Sequence, residues 1–289
     1  MPPKESDLAC ERHRADTATP GVSFLRREDG RFVTETLHIT SKEGAAQVGR
    51  PEGTYITLHH PTPESLLPGE ADALSHRVAD VLSVFLPESD YGHILAVGLG
   101  NRRLTADAVG PQTLSYVGAT AHMAKEEPRL FSRLGCRRIS AFCPGVLGDT
   151  GVEAAALVRG AVAAAEPDAI LVFDALAARG YERLFTTVQI ADTGIIPGSG
   201  VGNRRAALDK ETMGIPVISV GIPTVVDAAT LALELFKKAP PADAPESQEP
   251  LPGGAFYVCP RSCDEDVSTM ARILGESVNL AFGIPTGEI

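Results

Sequence analysis

Between residues 21 and 60, apolar and polar positions alternate: Val22 and Phe24, then Phe32 and Val33, then Leu37 and Ile39, then Tyr55, Ile56 and Leu58. A period near two predicts short strands or hairpins. Over residues 70–86 the spacing changes. Leu74, Val78, Val81, Leu82 and Phe85 recur at helical intervals, which predicts an amphipathic helix. From residue 93 onward the chain shows short apolar runs that end in Gly- or Asp-rich turns: HILAVGLG (93–100), RISAFCPG (138–145), AILVFDAL (169–176), TTVQIADTG (186–194) and PVISVGIP (216–223). Helical stretches, such as residues 151–166 and 225–238, lie between several of them.

Apolar strands alternating with helices predict an α/β fold. The expected architecture has three layers: a mainly parallel, twisted sheet with flanking helices, preceded by an N-terminal hairpin extension over residues 21–60. Residues 1–20 read as an arm. Residues 239–254 read as a Pro-rich loop. Residues 256–260 and 264–283 predict a last strand and a last helix.

Composition narrows the possible functions. Hydrophobic residues make up 44% of the 289, enough for a full core. There are 37 acidic against 26 basic residues, a net charge of -11. That disfavours nucleic-acid backbones and anionic membrane surfaces as partners. No apolar run reaches the length of a membrane span, and the polar N-terminus does not read as a signal peptide. The five cysteines are scattered without a CxxC pair, so a reducing, cytoplasmic setting is expected. All seven histidines lie at or before His122, which constrains any mechanism that needs an imidazole.

In open α/β sheets, ligands sit beyond the carboxyl ends of the strands. Gly98, Gly100 and Asn101 follow the first of these runs, but Arg103 stands where a dinucleotide fingerprint needs its third glycine. The glycines are then better read as letting a helix start close to its strand. The loop 197–203, with Gly198, Ser199 and Gly200, lacks the Lys-Ser/Thr ending of a phosphate loop. It serves equally as a backbone nest for a carbonyl or oxyanion or as an ordered turn. Asp192 stands in an Asp-Thr-Gly, but pepsin-like enzymes carry theirs in an all-β fold. It is carried as a lining residue.

Cys143 reads more readily as packing than as a nucleophile, and no GxSxG elbow is present. Asp107 and Asp174 remain, each at or just past a strand end. Helix capping explains the first and a strand-end turn the second. As a pair, two close carboxylates share a proton and can do acid–base work on water.

Around these residues the chain resembles the spore germination protease family. The matching stretches are AVGLGNRRLTADAVGPQ (96–112), ISAFCPGVLGDTGVEAAALVRG (139–160) and residues 167–230, which contain IADTGIIPGSGVGN. The segment Asp7-Leu8-Ala9-Cys10-Glu11 resembles the family's maturation motif, and residues 255–283 resemble its last helical region weakly.

The resemblance implies an aspartic-type endopeptidase made as a zymogen. Its fold would be related to hydrogenase-maturation endopeptidases (phosphorylase/hydrolase-like). Asp107 and Asp174 would be the catalytic pair. Residues 1–7 would be a pro-segment cut between Asp7 and Leu8, ahead of a single peptidase domain over 8–289. Small acid-soluble spore proteins would be the substrates, cut at a short acidic motif. A homotetramer in the forespore or spore-core cytoplasm is expected, with no membrane or direct nucleic-acid partner and no cofactor.

The related maturation enzymes bind a metal through two acids and a downstream histidine. This chain has no histidine after His122, so a carboxylate pair acting on water is favoured, although acidic ligands alone can hold a metal. Arg179, Arg183, Arg204 and Arg205 are candidates to meet acidic substrate side chains, against the alternative of solvated surface charge. The pro-segment is short, and residues 239–254 stand where relatives carry a longer insertion. Two other readings stay open. One is a metal-dependent maturation endopeptidase acting on another protein; the other is a non-enzymatic nucleotide-binding module.

Overall fold

The computed structural model describes residues 6–12, 19–198, 205–238 and 256–285. Among these described residues the strands are β1 (Val22–Asp29), β2 (Phe32–Ile39), β3 (Gly53–His59), β4 (His93–Gly98), β5 (Arg138–Phe142), β6 (Ala169–Ala178), β7 (Thr187–Ala191), β8 (Val217–Asp227) and β9 (Tyr257–Val258). The helices are α1 (Ala9–Arg12), α2 (Lys42–Val48), α3 (Glu70–Phe85), α4 (Val109–Thr113), α5 (Met123–Glu126), α6 (Pro128–Leu134), α7 (Leu147–Thr150), α8 (Ala154–Ala165), α9 (Lys210–Met213), α10 (Ala228–Lys238) and α11 (Cys263–Ala281). Among the described residues, no helix is long and apolar enough to cross a membrane.

These strands join one sheet in the order β1-β2-β3-β7-β8-β6-β4-β5, with β9 paired to β8. The expectation of a mainly parallel sheet is corrected: the sheet is mixed. β8, β6, β4 and β5 run parallel to one another. β1, β2, β3 and β7 pair antiparallel, and β7 meets β8 antiparallel as well. The N-terminal hairpin therefore continues the main sheet through β3 and β7. The reason is local: the link from β6 to β7 is a short turn around a single 3-10 helix, Tyr181–Arg183. A parallel return would need a crossover of a dozen or more residues.

Alternation along the central strands gives the sheet two buried faces. Ile94, Ala96, Leu171, Phe173 and Val220 pack against α3, α4 and α11 through Leu74, Val78, Val109 and Leu274. Their neighbours Leu95, Val97, Ile170, Val172 and Val217 face α8 through Ala155 and Val158. Burying both faces explains why these strands read as continuous apolar runs. Each fully buried Leu, Ile, Val or Phe contributes about 1.5–3 kcal/mol. This core fixes the strand ends from which the candidate site is built. The helix predicted over 70–86 forms as α3, because its Leu74, Val78 and Leu82 are fully buried on one stripe.

Candidate active site

Asp107 and Asp174 line the same cleft of about 660 Å³, together with Gly100, Asn101, Asp7 and Gln189. Asp174 lies within β6, on the face that turns toward α8. Asp107 ends a single 3-10 turn, Thr105–Asp107, beyond β4. That turn is pinned in two ways. The Thr224 hydroxyl donates to the Ala106 carbonyl at 2.6 Å. The Asn101 N–H donates to Asp107 Oδ2 at 2.8 Å. Gly100 makes the close approach possible. Its φ is +114°, and a Cβ there would stand 2.0 Å from the Asp107 carbonyl oxygen.

The electrostatics separate the two acids. Burial raises the Asp174 carboxyl well above the ordinary carboxylate value, with further upward pressure from the charges of Asp107 and then Asp7; the Ala175 N–H opposes the shift. Burial also raises Asp107, with the Asn101 N–H pulling the other way. Two neighbouring carboxyls in a buried site hold a proton between them, and the more deeply buried one is the better holder.

The chain's own segment 6–12 reaches this cleft at Asp7. The Asp7 N–H donates to the Ala177 carbonyl, and the Ala177 N–H donates to Asp7 Oδ2, both at 3.0 Å. Arg50 stands 3.7 Å from Asp7 Oδ1 and donates to the Ser6 carbonyl at 2.7 Å. Leu8 and Ala9 are fully buried. The Glu11 carboxylate accepts the N–H groups of Arg179 and Gly180 at 2.8 and 2.9 Å, and the Ser6 hydroxyl donates to it as well. Both acidic side chains of the segment are thus read by backbone amides.

Glu11→Ala removes the acceptor for two amides. We expect the Arg179 and Gly180 amide protons to exchange about tenfold faster or more, a change worth about 1.4 kcal/mol per factor of ten. Unchanged exchange at both would remove the Glu11 anchor.

Other expected site residues fall differently. Gly100 and Asn101 line the cleft, and so does Gly198, whereas Ser199, Gly200 and Arg204 lie outside the described residues. Gly98 does not line it. It is buried, and a Cβ there would meet the Gly110 carbonyl at 2.5 Å, so it serves the close packing of β4 on α4. Asp192 Oδ1 accepts the Thr54 N–H at 2.7 Å and thereby caps the β3–β7 pairing. Arg205 lines the cleft and pairs with Glu153 at 3.4 Å. The Arg179 side chain pairs with Glu234 at 3.7 Å, so its contribution to the segment is its backbone N–H.

Arg183 donates to His59 Nδ1 at 2.8 Å, and His59 Nε2 meets Glu35 at 2.8 Å. Cys10 joins them: among the described residues, Cys10, Glu35 and His59 form the grouping whose ligand atoms all lie within 4.8 Å of one another. The lone pair of Nδ1 that a metal would need faces a guanidinium instead. The Nε2–H then goes to Glu35, so the polar groups of His59 are matched by protein partners. Burial alone would raise the Glu35 carboxyl, but the hydrogen bond from His59 and the charges of Arg183 and Arg26 hold it below its ordinary value.

Gln189 and Arg50 were missed as cleft residues in the sequence. The available signal was a glutamine inside an otherwise apolar strand; nothing local named its partners.

A family model described as germination protease matches residues 4–236. The chain is 44% identical over 234 residues to a germination protease of Caldanaerobacter subterraneus subsp. tengcongensis, covering 78% of this chain and 70% of that one. It is 43% identical over 238 residues to the germination protease of Bacillus subtilis, with 78% and 64% covered. A Clostridium perfringens germination protease is 34% identical over 309 aligned positions, which take in 96% of this chain and 94% of the relative. The alignments therefore span 70%, 64% and 94% of the three relatives' lengths. The matched region carries both cleft aspartates and the Asp7–Glu11 segment, and on these matches the chain belongs to the germination protease family.

Proposed function

We propose that the chain is an aspartic-type endopeptidase of spore germination, made as a zymogen, with Asp107 and Asp174 as its catalytic pair. The observation that carries this reading is a cleft lined by both carboxyls, each raised by burial and Asp174 further by the charge of Asp107, and bordered by Asp7 of the Asp7–Leu8 segment. Asp174, the deeper acid, keeps the shared proton and faces the carbonyl of the bond to be cut. Asp107 accepts a proton from the attacking water. Water adds to the carbonyl carbon, the C–N bond breaks, and the leaving nitrogen takes a proton from the pair.

The substrates on this reading are small acid-soluble spore proteins that present an acidic motif like Asp7-Leu8-Ala9-Cys10-Glu11. The backbone amides at 177, 179 and 180 support this preference, because they already hold acidic side chains of that spacing. The enzyme would act in the forespore or spore core as a homotetramer.

The test is mass spectrometry of the purified chain after mild acidification, where a carboxyl pair holds one proton more readily. We expect a new N-terminus at Leu8 and cleavage of a small acid-soluble spore protein by the product. A chain that stays intact across the acidic range and leaves that protein uncut would overturn the reading.

A further inference from the structure

The side-chain amide of Gln189 brackets the Asp7–Leu8 bond. Its Nε2–H donates to the Asp7 carbonyl oxygen at 3.1 Å. Its Oε1 accepts the Ala9 N–H at 2.6 Å. The two partners fix the amide's orientation, since a carbonyl oxygen can only accept and an N–H can only donate. The Leu8 N–H, on the nitrogen that would leave, donates to the Ser6 hydroxyl at 3.0 Å. The carbonyl that water would attack is therefore held by a side-chain donor from the sheet.

Sheet register explains why Gln189 reaches that oxygen. Gln189 on β7 pairs with Gly221 on β8, and Gly221 pairs with Asp174 on β6. Register partners project to the same face, so Gln189, Gly221 and Asp174 form one row across three strands. Two strand spacings put the outer two about 10 Å apart at Cα. The middle position has no side chain, and a Cβ there would strike Leu176 at 2.5 Å. The row thus has an amide donor at one end and an acid at the other, with the Leu176 side chain over the glycine between them.

We propose that Gln189 is a further catalytic residue of this site: its Nε2–H stabilises the oxyanion that forms on the carbonyl of the cleaved bond, while its Oε1 grips the backbone beyond that bond. The proposal rests on the reading that the cleft hydrolyses Asp7–Leu8. As water adds to the Asp7 carbonyl carbon, the carbonyl oxygen gains negative charge and the hydrogen bond from Gln189 strengthens. Collapse of the intermediate restores the C=O and expels the Leu8 nitrogen, which is protonated by the carboxyl pair. The products are a carboxylate at Asp7 and an amine at Leu8, so one water is consumed and no other reactant is needed. A donor fixed in advance where charge develops acts more strongly in the transition state than in the ground state.

The experiment follows self-processing of the full chain by timed mass spectrometry in wild type, Asp174→Asn, Gln189→Met and Gln189→Glu. Thermal melting checks the fold, and hydrogen exchange at the Ala9 amide reports whether the segment stays seated. Gln189→Met keeps the size and loses both bonds. Gln189→Glu keeps an acceptor for Ala9 and loses the donor.

We expect both Gln189 variants to process about 100- to 1,000-fold more slowly, the usual loss for one oxyanion donor. We also expect Gln189→Glu to keep the Ala9 amide protected. Wild-type rates in both variants, with Asp174→Asn blocked, would overturn the role of Gln189 and leave the carboxyl pair standing. A slow Gln189→Glu that has also lost protection at Ala9 would reduce Gln189 to a clamp and overturn its role on the carbonyl. Normal processing in Asp174→Asn would fail the site reading itself, and this proposal with it.

Discussion

Asp174→Asn is expected to stop cleavage at Asp7–Leu8 and, at the same time, to make the folded chain more stable at neutral pH. The first effect follows from chemistry. An amide cannot hold and release the proton that the leaving nitrogen needs, and loss of one acid–base group costs about 10²- to 10⁴-fold. The second follows from linkage. Burial, then Asp107, then Asp7 raise the Asp174 carboxyl in the folded chain. The folded state therefore binds this proton more tightly than the unfolded one. Stability falls as pH rises from the ordinary carboxyl range through the raised value.

Asparagine carries no charge, and its Oδ1 can still accept the Ala175 N–H that Asp174 Oδ1 accepts at 2.9 Å. At pH 7 the variant should melt higher than wild type, by about 2–4 °C for each kcal/mol recovered. Below the ordinary carboxyl range the two melting curves should converge. Processing at the wild-type rate, or a variant that melts lower than wild type at pH 7, would contradict the assignment.

Gly100→Ala is expected to disable the site from a position that carries no chemistry. The backbone at Gly100 has a φ of +114°, and the new Cβ would stand 2.0 Å from the Asp107 carbonyl oxygen and 3.2 Å from its Oδ1. Left-handed strain of this kind costs about 1–3 kcal/mol in a residue with a side chain. The clash is with backbone, so it cannot be relieved by a rotamer change. The turn bearing Asp107 must move, and a displacement of about 1 Å in a catalytic group costs on the order of 100-fold. The expected result is self-processing slowed by that factor, with a modest loss in melting temperature. A variant that cleaves as fast as wild type would mean that the position of Asp107 is not set by its contact with Gly100.

Much of the fold was legible because its causes are local. The apolar stripe of Leu74, Val78 and Leu82 specifies α3 within residues 70–86, since helical periodicity needs no distant partner. The runs at 93–98, 169–173 and 217–220 specify buried strands, because both of their faces are apolar. The direction of β7 was not legible. TTVQIADTG reads as a strand either way round, and only its short link to β6 and its pairing with β3 make it antiparallel.

The candidate site divides in the same manner. Asp107 stands in a turn and Asp174 inside β6 rather than at its expected end, but both lie in stretches that resemble a family's motif, so the sequence could nominate them. Arg179 and Arg183 were nominated as charges for a substrate, but Glu234 and His59 had already claimed their side chains. Gln189 could not be nominated. Its bonding partners, Asp7 and Ala9, lie 182 and 180 residues away along the chain.

By itself the sequence determined the apolar periodicities, hence the strands and helices, and it held the residue types able to do acid–base chemistry. Only the tertiary structure decided which of those residues share a cleft. Hydrophobic burial is encoded position by position, but the pairing of a strand, the register of a row and the partner of a polar group are set by segments far apart in the chain. Gln189, Gly221 and Asp174 became one row because the sheet closed around an apolar core, and that closure is not written in any one stretch.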